Sequence, residues 1–93
     1  MTFPDPELAR DLNRKGVDFL FADLETGFAF CEIAASAGRD KKTRKRNRGN
    51  GRKAYDTVLK LSRKFALTSK EKIVFDEKVA VLKRALQALG EVL

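Results

Sequence analysis

The chain has one thiol, Cys31, and no histidine. Histidine is the commonest general base near neutral pH and the commonest nitrogen ligand of zinc and di-iron helix sites. Its absence excludes acid–base catalysis by that route, those metal sites and phosphotransfer through a histidine. The carboxylates do not converge: Asp23 and Glu25 lie two apart on different sides of a helix, and the adjacent pair Asp76 and Glu77 also diverges. Cys31 shares an apolar stripe with Leu24 and Phe28. A reactive thiol needs exposure and a positive neighbourhood, so Cys31 reads as a small buried hydrophobe. The stretch "GNGRK" lacks the preceding strand that a phosphate loop requires. The expectation is no catalysis, no cofactor, no metal and, with a single cysteine, no internal disulfide.

What could bind is charge. The stretch 38–53, "GRDKKTRKRNRGNGRK", holds nine cations, Arg39, Lys41, Lys42, Arg44, Lys45, Arg46, Arg48, Arg52 and Lys53, against the single acid Asp40. The net charge of +7 resides there, because the rest of the chain carries eleven basic and twelve acidic residues. These nine are the candidate contacts for phosphates or for an acidic partner. Two readings stay open. One is nonspecific, salt-sensitive binding of nucleic acid or an anionic surface, driven by counterion release. The other is a solvated connection kept polar to stay unpacked. The stretch has no aromatic residue for base stacking, and no groove-reading helix on an apolar base is visible in it.

The elements that would position these groups are helices. Val17, Leu20, Leu24, Phe28, Cys31 and Ala35 recur at steps of three and four, the pattern of one helix face, over about 17–37. Phe19, Phe30 and Ile33 widen the apolar arc, which predicts packing on two sides. Gly38 is a helix stop. Upstream, "PDPELARDLNRKG" forms either a separate short N-terminal helix or an extension, with Asp5 as cap, Pro6 at the first helical position and Gly16 as the bend between pieces. Ala54, Val58, Leu61 and Phe65 predict a second helix over about 51–65, with Tyr55 at the core edge. Thr68 and Glu71 have capping-box spacing and open a third over about 69–91. Its seam runs Phe75, Val79, Leu82, Leu86, Leu89 and Leu93.

The short connection between helices two and three makes them antiparallel neighbours, whereas 38–53 is a long, mobile basic loop. The expected architecture is all-α, an antiparallel three-helix bundle running up-down-up, in one domain spanning 1–93. Its core is Leu24, Phe28, Val58, Leu61, Phe75, Val79, Leu82 and Leu86. The most apolar stretch, Val17 to Ala37, is interrupted by Asp18, Asp23, Glu25 and Glu32 and is too polar to span a membrane. The start "MTFPDPELARD" lacks the basic and apolar regions of a secretory signal, so the expected location is cytoplasmic.

"DLETGFAFCEIA" followed by "RKAYDTVLKL" resembles the helical hairpin of a tetratricopeptide repeat. Gly27 and Phe30 have the spacing of the small and aromatic residues of that repeat's first helix, and Ala54, Val58 and Leu61 resemble the series on its second. With a third amphipathic helix, the chain from about Phe19 to Leu89 also resembles the microtubule interacting and trafficking domain. The long basic connection departs from both, and there is no second repeat to build a solenoid. The resemblance implies a non-enzymatic module that docks a protein or peptide in a groove between helices. Surplus apolar surface on helices one and three would alternatively close a homodimer.

Overall fold

Asp5 opens the first helix, α1 (Pro6–Ser36). Its carboxylate accepts from the Glu7 amide at 2.9 Å, and Pro6 occupies the first turn, where a missing amide costs nothing. The computed structural model describes residues 5–93; Pro4, which begins the stretch read as a separate turn, lies outside the described residues. There is no separate N-terminal helix from Pro6 onward, because α1 is continuous through Gly16. Gly16 is not a bend. A β-carbon there would stand 2.2 Å from the Phe65 ring, so glycine makes room for an aromatic side chain from the next connection. The helix ends as expected at Gly38, whose φ of 59° is the left-handed conformation that closes helices.

The long basic loop is not found. The connection shrinks to 37–40, and α2 runs Lys41–Ser62. Its cap is Asp40, which accepts from the Thr43 amide at 3.0 Å and from the Thr43 hydroxyl at 2.7 Å. The repulsion among like charges loses to three features: this cap, the good helix-forming residues, and a continued inward stripe. That stripe is Asn47, Gly51, Ala54 and Val58, all buried. Asn47 satisfies its own amide group by donating to the Thr43 carbonyl at 2.9 Å. Gly51 lets the helices close: a β-carbon there would lie 3.2 Å from Leu86 and 3.3 Å from the Cys31 sulfur.

The third helix, α3 (Ser69–Ala88), starts at the expected capping box. The Thr68 hydroxyl accepts from the Glu71 amide at 3.1 Å, and the Glu71 carboxylate accepts from the Thr68 amide at 3.0 Å. It ends a little earlier than expected, with Gly90 at φ 104° just beyond.

Three helices and no strand among the described residues make the fold all-α. Their directions follow from who touches whom. Gly16 meets Phe65 and Gly27 meets Ala54, so α1 and α2 are antiparallel. Arg14 meets Glu71, Phe21 meets Phe75 and Glu25 meets Lys78, so α1 and α3 run the same way. Gly51 against Leu86 sets α3 antiparallel to α2. The result is up-down-up. Leu20, Leu24, Val58, Leu82 and Leu86 are completely buried along its axis, and Phe75 joins them with its ring edge-on to Phe21. Of the expected core, Phe28, Leu61 and Val79 are half-buried and pack against this cluster.

At the α2–α3 connection a reciprocal pair substitutes for secondary structure. The Asn13 side chain donates to the Ala66 carbonyl at 3.0 Å, and the Ala66 amide donates back to Asn13 at 2.7 Å. As expected, α1 packs on two sides, against α2 and against α3, but these neighbours do not cover the whole of its apolar arc. Phe19 and Ile33 remain 49% and 47% exposed, because α3 covers only the other flank of α1.

Candidate functional site

Helical order sorts the nine cations. Arg48 and Arg52 point along the flank of α2 that faces the end of α3. The Arg48 guanidinium donates to the Leu89 carbonyl at 3.2 Å and pairs with Glu91 at 3.2 Å. Arg52 donates to the Val92 carbonyl at 3.0 Å and pairs with Asp56 at 3.1 Å and Glu91 at 3.6 Å. These two bind the C-terminal residues to α2 and are not free to meet a ligand.

The other seven, Arg39, Lys41, Lys42, Arg44, Lys45, Arg46 and Lys53, form no ion pair among the described residues. Lys42, Lys45, Arg46 and Lys53 fall on the outer face of α2 at helical spacing and are exposed. With Gly49 and Asn50 they line a shallow trough. Its floor is Gly49, where a β-carbon would meet nothing within 4 Å. The expectation of a loop over 38–53 is therefore corrected. From Lys41 the cationic stretch is helical, its inner face is Asn47 and Gly51, continued beyond it by Ala54, Tyr55 and Val58, and its outer face carries the charge. The missed signals were Asp40 three residues before Thr43 and the inward line Asn47–Gly51, whose members are not apolar.

Two apolar surfaces accompany this charged one. Between α1 and α3 lies a cavity of about 560 Å³, floored by Phe28, Cys31, Ala35, Ala85, Ala88 and Leu89. Glu25, Glu32 and Lys78 edge it, and Lys78 pairs with Glu25 at 2.6 Å. Cys31 is buried, which pushes its thiol above the ordinary range and keeps it protonated and unreactive. On the opposite flank of α1, against α2, Phe19, Asp23 and Phe30 face Asn50, Lys53, Ala54 and Thr57 across a shallower cavity of about 330 Å³. Partial burial raises the Asp23 carboxyl there. The exposed side chains of Leu8, Leu12, Phe19 and Ile33 fall in line on this flank.

Among the described residues, no three His, Cys, Asp or Glu side chains converge as a metal site. No helix among them is long and apolar enough to cross a membrane. The chain matches no protein-family model, no curated protein and no solved structure.

Proposed function

We propose that the protein is a small non-enzymatic interaction module that docks a protein partner along the open flank of α1. The observation that carries this reading is the line of Leu8, Leu12, Phe19, Phe30 and Ile33, which α3 leaves uncovered while packing on the other side. From Leu8 to Ile33 the line is about 37 Å long, at 1.5 Å per residue. Interfaces draw their energy from a few large side chains in partly formed pockets. Phe19 and Phe30 supply such groups beside Ala54. Three of the six floor residues of the α1–α3 cavity are alanines, and the Lys78–Glu25 pair occupies its edge, so it is the weaker anchor.

The partner that fits is a helix with an apolar stripe and an acidic edge. The apolar stripe covers Phe19 and Ile33, and the acidic edge lies toward Lys53 on α2. A second copy of the chain is one such candidate, so solution mass is measured first, across a range of concentration. The deciding comparison is wild type against Phe19→Glu with Ile33→Glu, by crosslinking capture and by sedimentation. Wild type forms a complex that the double variant does not, while both melt at the same temperature. Identical sedimentation and identical captured species for the two proteins would sink the reading. So would a large fall in the melt, because it would mean these side chains belong to the core.

A further inference from the structure

We infer that the outer face of α2 is a binding site for the phosphate backbone of double-stranded nucleic acid, with Lys42, Lys45, Arg46 and Lys53 as its contacts. This site adjoins the apolar flank of α1 and shares Asn50 and Lys53 with its edge, but its test reads affinity for nucleic acid and does not depend on that reading.

The argument begins with what the face lacks. Lys42, Lys45, Arg46, Gly49, Asn50 and Lys53 surround the trough, and none of them is apolar. A protein interface needs desolvated apolar or aromatic anchors, so an acidic protein would find charge here and no anchor. An anionic bilayer is bound tightly by a helix that also buries apolar side chains beneath the headgroups, and this face has none to bury. Single-stranded nucleic acid is held by stacking of bases on aromatic side chains. No aromatic side chain lines the trough: Tyr55 of α2 is buried against the core, and Phe19 and Phe30 on α1 meet only its Asn50–Lys53 edge. A duplex asks for none of these. Its phosphates present dense, regular charge, and each contact releases condensed counterions.

What the face has fits that demand. Its cations are fixed in spacing by the helix and are not consumed by internal carboxylates. Asp40, the acid nearest to them in sequence, is occupied in capping Thr43. Gly49 removes the side chain at the centre of the trough, so a phosphate strand can approach the helix backbone between Lys45, Arg46 and Lys53. Asn50 supplies a neutral donor at its edge. The same helix commits Arg48 and Arg52 to the C-terminal residues, so the charged and the structural roles are divided between two faces of one element.

The experiment is fluorescence anisotropy of a labelled mixed-sequence DNA duplex titrated with the full chain at several salt concentrations. The expected result is binding at low salt. Log affinity falls against log salt with a slope of about −3 to −4, at about −0.9 for each phosphate neutralised. A fourfold variant, Lys42→Gln, Lys45→Gln, Arg46→Gln and Lys53→Gln, loses at least tenfold in affinity. A control variant with the same change of net charge, Lys64→Gln, Lys70→Gln, Lys83→Gln and Arg84→Gln, stays within twofold of wild type. Circular dichroism confirms that both remain helical. The proposal is overturned by absence of binding at low salt, or by equal loss in the two variants, which would make net charge the cause. Tighter binding of a single strand of equal length, of polyglutamate or of phosphatidylserine vesicles would also overturn it.

Discussion

The ring of Phe65 fills the volume that a side chain at Gly16 would need: a β-carbon built on Gly16 would stand 2.2 to 2.4 Å from three of its atoms. The contact joins the first third of α1 to the segment leaving α2. Gly16→Ala should therefore lose about 1–3 kcal/mol through overpacking, although alanine is the better helix former. In a Phe65→Ala background the same change should be neutral or stabilising by up to about 1 kcal/mol, since only helix propensity remains. Gly49→Ala, which meets open space in the middle of α2, should stabilise by about 0.5–1 kcal/mol. Urea melts of the four variants check this, and a destabilising Gly16→Ala that Phe65→Ala does not relieve would break the account.

Leu82 is completely buried and touches the backbone of α1 at Gly27. Leu82→Ala should cost about 2–5 kcal/mol in a denaturant melt, as removal of a side chain from a close-packed helix crossing does. A change near zero would mean that α3 is not seated on the α1–α2 pair.

Thr68→Ala should cost about 0.5–2 kcal/mol, because the Glu71 amide loses its acceptor. The cap also has a pH signature. The Thr68 backbone amide first, and then Arg14, hold the Glu71 carboxyl below its ordinary value. The Thr43 amide does the same for Asp40 at the start of α2. A depressed carboxyl contributes stability above its unfolded value, near pH 4, and that contribution is lost as pH falls through the lower folded value. The melting temperature should stay level from neutral pH to about pH 5 and drop below about pH 4. Glu71→Gln with Asp40→Asn, which retain capping acceptors, should shallow the drop. Asp23, raised by burial, works in the opposite direction and softens it slightly. An unchanged acid slope in the double variant would remove the two caps as its source.

Arg48→Ala with Arg52→Ala should release the residues after α3. Hydrogen exchange at Gly90 and Glu91 should accelerate, with a fall in stability of about 1 kcal/mol, the scale of partly exposed pairs and single hydrogen bonds. Protection that is unchanged would show that Leu89 and Leu93 hold this end without the guanidinium groups.

The sequence revealed α3 and the part of α1 after Gly16 well, because their inward residues are apolar and Gly38 and Thr68 mark boundaries. The stretch 6–16, capped by Asp5, stayed open between a separate turn and an extension because Gly16 read as a bend. It concealed the first half of α2. At Asn47 and Gly51 the inward line passes through a polar side chain and a bare backbone, so apolar periodicity seemed to begin only at Ala54. The need for close approach at Gly27 and Cys31, which explains Gly51, exists only once α1 and α2 are side by side. The cations were legible as a cluster, but their division could not be read. Arg48 and Arg52 differ from Arg46 and Lys53 only by the helical phase that puts them beside Leu89, Glu91 and Val92. Phe19 and Ile33 read as core for the same reason: composition says how wide an apolar arc is, and not how many neighbours arrive to cover it.

The chain's one thiol sits where α1 faces α2, 6% exposed. That makes Cys31 a clock for the molecule's own breathing. In the closed bundle a small alkylating reagent meets only the small part of Cys31 that floors the α1–α3 cavity. Parting of the helices exposes the rest, so where reclosing is faster than reaction, labelling above the closed-state rate follows the equilibrium between closed and parted states at one known point. No label has to be engineered, and no second thiol contributes to the signal. A ligand on the outer face of α2 should slow that clock if it stiffens the hairpin, and a partner seated on α1 should slow it by a different factor.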